Sequence, residues 1–132
     1  MNKIIEFIDE AGIFFLATED GLQPKVRPLG AHHEIDGKAV FGIGDYKDVY
    51  RQLVANPLTE IVAFKPQNLT WLRYTGRVVF DDDPRYTEIA LDALPHLRKV
   101  YNEETGNKLR MFHLEDATAK IIDMAGNVEV IE

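Results

Sequence analysis

Only four residues, among them the turn signal Glu19-Asp20-Gly21, separate two extended segments near the start of the chain. Before them lies Ile13-Phe14-Phe15-Leu16-Ala17-Thr18, a compact apolar run rich in strand formers. After them, residues 23–35 stay extended, because Pro24 and Pro28 rule out helix. Parallel strands need a crossover of a dozen or more residues, so a break this short predicts an antiparallel hairpin. Asp36-Gly37 is a second turn signal and leads into the strand Ala39-Val40-Phe41-Gly42-Ile43. Winding into parallel βαβ units is not expected of such a chain.

Helices are inserted between the strands. Ile4, Ile5, Phe7, Ile8 and Ala11 recur at helical spacing between Asn2, a cap, and Gly12, a stop. Asp45 is placed to cap a second helix that runs to about Ala55, with Val49, Leu53 and Val54 inward and Asn56-Pro57 ending it. Thr59 to Lys65 and Asn68 to Phe80 read as strands, the second kinked near Gly76. Asp81-Asp82-Asp83-Pro84 opens a third helix: carboxylates favour the positive end of the dipole and proline fits its first turn, while Pro95 breaks the helix. Arg110 to Glu115, Thr118 to Asp123 and Val128 to Ile131 are three further strands. Seven or eight strands with inserted helices, and no linker or repeat in 132 residues, predict one mainly β domain over residues 1–132. Its expected architecture is an antiparallel barrel with α decoration.

Charge narrows the partners. The net charge is −7, from 22 acidic against 15 basic residues, and no basic run is present. Nucleic-acid affinity is dominated by phosphate contacts, so DNA and RNA are not expected ligands. A polybasic membrane patch is also missing. The amino terminus MNKIIEFIDEAG is interrupted by Glu6, Asp9 and Glu10 and so lacks the apolar core of a signal peptide. No run approaches the roughly 18 apolar residues needed to cross a bilayer, and a cytoplasmic location is expected. There is no cysteine, which excludes disulfides, thiolate metal sites and a cysteine nucleophile.

Three constellations could carry chemistry. Lys25, Arg27 and Leu29 are two apart in an extended segment and so share a face. They could form an anion site, but spacing alone favours a solvated edge strand, where cations are common. Phe41-Gly42-Ile43-Gly44-Asp45-Tyr46-Lys47 runs from strand through turn to a helix start, where free N–H groups and the dipole favour a phosphate. Lys47 is poorly placed there for helix stability, and an anion would resolve that; a plain turn with a surface lysine remains the alternative. Trp71, the one tryptophan, shares its face with Arg73 and Thr75 and suits either core or an aromatic ligand wall. His32 and His33 are adjacent, so on a strand they face opposite sides and no metal site is expected. No side-chain catalyst is visible, so an enzyme of this kind would lean on a cofactor.

Taken in order, these segments resemble the pyridoxamine 5′-phosphate oxidase-like family of FMN-binding split barrels. The resemblance runs through Phe14 to Gly21, Pro24-Lys25-Val26-Arg27-Pro28, Phe41-Gly42-Ile43-Gly44 with Lys47, Ala55-Asn56-Pro57 and Trp71-Leu72-Arg73-Tyr74-Thr75-Gly76. It is most like the short nitroimidazole-resistance-like or general-stress-like branch. It implies an FMN cofactor whose phosphate is gripped by Arg27 and Lys47. The backbone around Pro28, Leu29, Phe41, Gly42, Ile43 and Gly44 would border the flavin, and Trp71 would lie against its ring. It further implies a homodimer with each flavin at the subunit interface, acting as an oxidoreductase on a small-molecule redox substrate. Alternatives on the same barrel are a non-catalytic flavin or haem binder and a deazaflavin-dependent reductase. Two departures stand out. Ile43 replaces the threonine or serine that often bonds the cofactor, and the Arg-x-His segment of true pyridoxamine phosphate oxidases is missing, so vitamin B6 oxidation is not expected.

Overall fold

A computed structural model describes residues 2–131. Its elements run α1 (Lys3–Ala11), β1 (Phe14–Asp20), β2 (Gln23–Leu29), β3 (His32–Ile35), β4 (Lys38–Gly44), α2 (Asp48–Ala55), β5 (Leu58–Lys65), β6 (Thr70–Asp81), α3 (Pro84–Ala93), a 3-10 turn (Pro95–Lys99), β7 (Leu109–Asp123) and β8 (Val128–Ile131). The strands form one antiparallel sheet in the order β2-β1-β5-β6-β7-β4-β3, with β8 beside the second half of β7. The extended stretch 23–35 is therefore two strands, β2 and β3, at opposite ends of that order. Only Gly30 and Ala31 join them, and three residue steps span at most about 11 Å. The sheet has to roll until its two edges nearly meet. β2 and β3 form no ladder with each other, so the barrel is split.

Rolling turns one face of the sheet into a core. Phe14 of β1 lies 5.2 Å from Phe41 of β4, ring centre to ring centre, and Phe41 lies 5.6 Å from Phe112 of β7. All three are fully buried, together with Leu16, Ile61 and Leu72; burying a side chain of this size stabilises by roughly 1.5–3 kcal/mol. α1 adds Ile4, Ile5, Phe7 and Ile8 to this core. As expected, Asn2 caps that helix, its Oδ1 accepting from the N–H groups of Ile4 and Ile5, and Gly12 ends it at φ +91°. α3 packs Tyr86, Ala90 and Leu91 against Val40 and Met111 on the other face of the sheet. Among the described residues no helix is long and apolar enough to cross a membrane.

Four local expectations are corrected. Val54, expected inward on α2, is exposed, and Gln52 joins Val49 and Leu53 on the buried side. α2 starts at Asp48 with Lys47 in the capping position, because Asp45 instead bonds the N–H of Lys108 at 2.9 Å and ties the turn to the far loop. The two tail strands expected on either side of Asp116-Ala117 are one strand, β7. It continues because Asp116 adopts φ +52° at a bulge facing Gly76. A Cβ at Gly76 would stand 3.1 Å from the Glu115 carbonyl oxygen, so glycine lets the bulge approach. Asp81 belongs to β6 rather than to the helix start and bonds His113; Asp83 alone caps α3, accepting from the N–H of Arg85.

Candidate functional site

Alternation along β2 sends Lys25, Arg27 and Leu29 to the core side, where they pair with buried Thr18, Leu16 and Phe14 of β1. α2 packs against the same side of β1. At this rim Lys25, Arg27 and Leu29 meet Lys47, Asp48 and Gln52, with Asp20 from the end of β1, around a cavity of about 320 Å³. Two of the three sequence constellations are thus brought to one place, from strand 23–29 and from the helix start.

Arg27 is held firmly but is not neutralised. Its Nη1 donates to the Leu16 carbonyl at 3.2 Å and to Thr18 Oγ1 at 2.8 Å, and its Nη2 donates to Gln52 Oε1 at 2.7 Å. The Thr18 hydroxyl in turn donates to Gln52 Oε1 at 2.5 Å. Every one of these acceptors is uncharged. Burial pulls the Arg27 pKa down, with the field of Asp48 opposing, yet a guanidinium stays protonated. Lys47 caps α2 without a side-chain hydrogen bond, and its ammonium lies 6.0 Å from the Tyr46 ring. The cavity's carboxylates are turned toward Arg51. Asp20 bonds it at 3.3 Å and is held below the ordinary carboxylate range, while exposed Asp48 lies 4.0 Å away. What remains is positive charge on Arg27, Lys25 and Lys47 facing a small concave space.

The other candidates lie elsewhere. Phe41 and Ile43 are core side chains. Gly42 and Gly44 are explained by packing: a Cβ at Gly42 would stand 3.0 Å from Met111 Sδ, and one at Gly44 would stand 2.6 Å from the Tyr101 hydroxyl. Pro28 pairs with Phe15, and Trp71 pairs with Phe64 and Ile122, all on the outer face of the sheet. Within one chain, then, Trp71 is not a wall of the cationic cavity. That outer face carries an apolar band across six neighbouring strands: Val26, Phe15, Phe64, Trp71, Ile122 and Val128. A larger space of about 570 Å³ opens between α3 and the loop before β7, lined by Asp81, Asp82, Asp83, Glu88, Glu103 and Arg110 among others. None of the sequence candidates lines it.

The fold and the cationic rim can be set beside known structures. A crystal structure of a NimC/NimA family protein from Clostridium acetobutylicum matches with a TM-score of 0.87 and 34% sequence identity, over 99% of this chain and 90% of that one. This chain belongs to the NimC/NimA family. The NimC/NimA barrel is shared more distantly. A pyridoxamine 5′-phosphate oxidase-related, FMN-binding protein from Nostoc punctiforme matches at TM-score 0.66 and 15% identity, over 98% of this chain and 95% of that one. A heme-binding protein from Mycobacterium smegmatis matches at TM-score 0.73 and 14% identity, over 98% of this chain and 56% of that one. At those identities the likeness speaks for the fold. No protein-family model and no curated protein matches the chain.

In this NimC/NimA chain, sequence reasoning missed Thr18 and Gln52. Gln52 had a signal. With Val49 and Leu53 it forms the inward i, i+3, i+4 stripe of α2, and it is the polar member of that stripe. A polar side chain at a core position needs a reason, and here the reason is Arg27. Thr18 gave no such signal, since threonine is ordinary in a strand.

Proposed function

We propose that this NimC/NimA protein binds FMN by its phosphate and acts, as a homodimer, as a flavin-dependent oxidoreductase on a small-molecule substrate. The observation that carries this reading is the Arg27 guanidinium. It is fixed at the mouth of a cavity by three uncharged acceptors, and Lys47 and Lys25 share that cavity. A rim that concentrates positive charge without a carboxylate on Arg27 suits a phosphate monoester. Arg27 and Lys47 would hold the phosphate. FMN, when bound, supplies hydride transfer, and the protein's part is binding, orientation and exclusion of competing reactions. Haem is less favoured here, because Asp20, Lys25, Arg27, Leu29, Lys47, Asp48, Val49 and Gln52 include no histidine, methionine, cysteine or tyrosine to serve as axial ligand.

A homodimer is supported by the outer face. Val26 is 68% exposed, Phe15 42%, Phe64 41% and Val128 54%, in one continuous band beside Trp71. An exposed apolar band of this extent is the mark of an interaction surface. A partner seated there would bring its own side chains near Trp71 and Pro28, which a single chain leaves apart from the cationic rim.

The test is FMN titration followed by desalting and a visible spectrum. Charge-assisted contacts are worth about 1.5–3 kcal/mol, so Arg27→Ala and Lys47→Ala should each weaken FMN binding about tenfold or more. Unchanged affinity in both variants removes the phosphate assignment. Sedimentation should find a dimer at micromolar concentration and a monomer for Phe64→Glu; a monomeric wild type overturns the dimer.

A further inference from the structure

Gln52 is 3% exposed and lines the cationic cavity. Its Oε1 is fully used, accepting from Arg27 Nη2 at 2.7 Å and from Thr18 Oγ1 at 2.5 Å. This fixes the orientation of the amide, because only the oxygen can accept from these two donors. The Nε2 group then carries two N–H donors for which the described residues offer no partner. It is not sealed in the core either: among the described residues the one buried polar side-chain atom left without a partner is His33 Nε2. A side chain this deeply buried, with a free amide touching open space, meets that space at the cavity. Such an amide is a ready donor to any acceptor that enters the cavity.

We infer that Gln52 is a direct ligand of the phosphate group and the residue that sets the site's selectivity for a dianion, working as a pair with Thr18. This rests on the phosphate reading above and extends it to a residue outside the cationic constellations. Gln52 acts in two ways. Its oxygen orients the guanidinium, and its amide adds an uncharged donor beside it. Being neutral is the second half of its function. Glutamate at the same position would have the same length and would still accept from Arg27 and Thr18. It would also pair with Arg27, cancel the free positive charge and remove both N–H donors. The choice of glutamine over glutamate keeps the cavity open to an anion. Thr18 completes the set, since its hydroxyl accepts from Arg27 while donating to Gln52, so one oxygen fixes both side chains.

The experiment compares FMN with riboflavin, which lacks the phosphate, by quenching of flavin fluorescence on titration with the whole protein. Gln52→Glu is expected to lose at least tenfold in FMN affinity while riboflavin affinity stays within twofold. Thr18→Val, which keeps the shape and removes the hydroxyl, should lose FMN affinity severalfold with the same selectivity for the phosphate form. Thr18→Val also decides the matter if the glutamate variant does not fold. A general packing defect would weaken both flavins alike, and that result overturns the inference. So does FMN affinity within twofold of wild type in either variant while Arg27→Ala still loses it; the phosphate reading would then stand without Gln52. If Arg27→Ala leaves the preference for FMN over riboflavin intact, the phosphate reading itself fails.

Discussion

Gly44 sits at the end of β4, in the turn that the sequence marks for phosphate approach, and packing alone already requires a glycine there. A Cβ there would lie 2.6 Å from the Tyr101 hydroxyl and 2.7 Å from Cε1 of Tyr46, whereas ordinary contacts begin at 3.4 Å. In Gly44→Ala the hydroxyl has to withdraw by about 0.8 Å, the difference between 3.4 and 2.6 Å, and the Tyr46 ring has to turn. Tyr46 is 54% exposed and can swing into solvent, but Tyr101 is partly buried and its ring packs on Tyr46 at 6.2 Å. Overpacking of this kind costs about 1–3 kcal/mol. Stiffening the unfolded chain returns about 0.4–1 kcal/mol, so the net loss is about 0.5–2 kcal/mol. In urea, with a slope of about 1–3 kcal/mol per molar, the unfolding midpoint should fall by about 0.2–2 M. Tyr101→Phe removes the atom in closest conflict, so in that background Gly44→Ala should cost at least about 1 kcal/mol less, measured as a double-mutant cycle. A neutral or stabilising Gly44→Ala, or a cost that Tyr101→Phe leaves untouched, would refute the packing explanation.

Two more outcomes follow from the same structure. Burial lowers the pKa of His33 from its ordinary 6.5, with the neighbouring His32 adding to the effect. The unfolded chain therefore binds a proton at higher pH than the folded one. Stability should be fully present above pH 6.5 and decline as pH falls through the folded value; His33→Gln should remove that part of the slope, and an unchanged acid limb contradicts it. Lys65 is buried, pairs with Glu10 and lies 4.0 Å from the Phe7 ring centre. Glu10→Gln strands that ammonium and should cost about 1 kcal/mol, kept small because Glu10 is half exposed and screened. Lys65→Met removes charge and desolvation together and should cost less. Urea unfolding that finds the reverse order would show the pair to be dispensable.

Much of this architecture was legible because it depends on neighbours in sequence. The Asn2 cap, the Gly12 stop, the Asp36-Gly37 turn and the pairing of the segments around Gly21 rest on contacts a few residues apart, and the structure has each of them. Alternation also placed Lys25, Arg27 and Leu29 on one side of β2, because side-chain direction in a strand has a fixed period. The misreadings share a cause. Asp45 resembles a cap, but Lys108, distant in sequence, claims it. Asp116-Ala117 resembles a strand break, but Gly76 on the neighbouring strand lets β7 pass through a bulge. Gly42 and Gly44 carry a packing constraint that the sequence does not show, because a Cβ on either would meet Met111 or Tyr101.

The sequence by itself determined that the chain is one mainly antiparallel domain, that its anion-binding potential is confined to a few cations, and that the family is a split-barrel one. Tertiary structure decided which of those cations work together. Arg27 and Lys47 meet only because the sheet rolls and α2 packs across β1 and β4, and no periodicity along the chain encodes that encounter. The same rolling put Trp71 on the outer face, away from them, and brought Gln52 and Thr18 under Arg27. A side chain's direction is a local property of its strand or helix; its partners depend on how the whole sheet closes, and that is where the charge on Arg27 was left without a carboxylate.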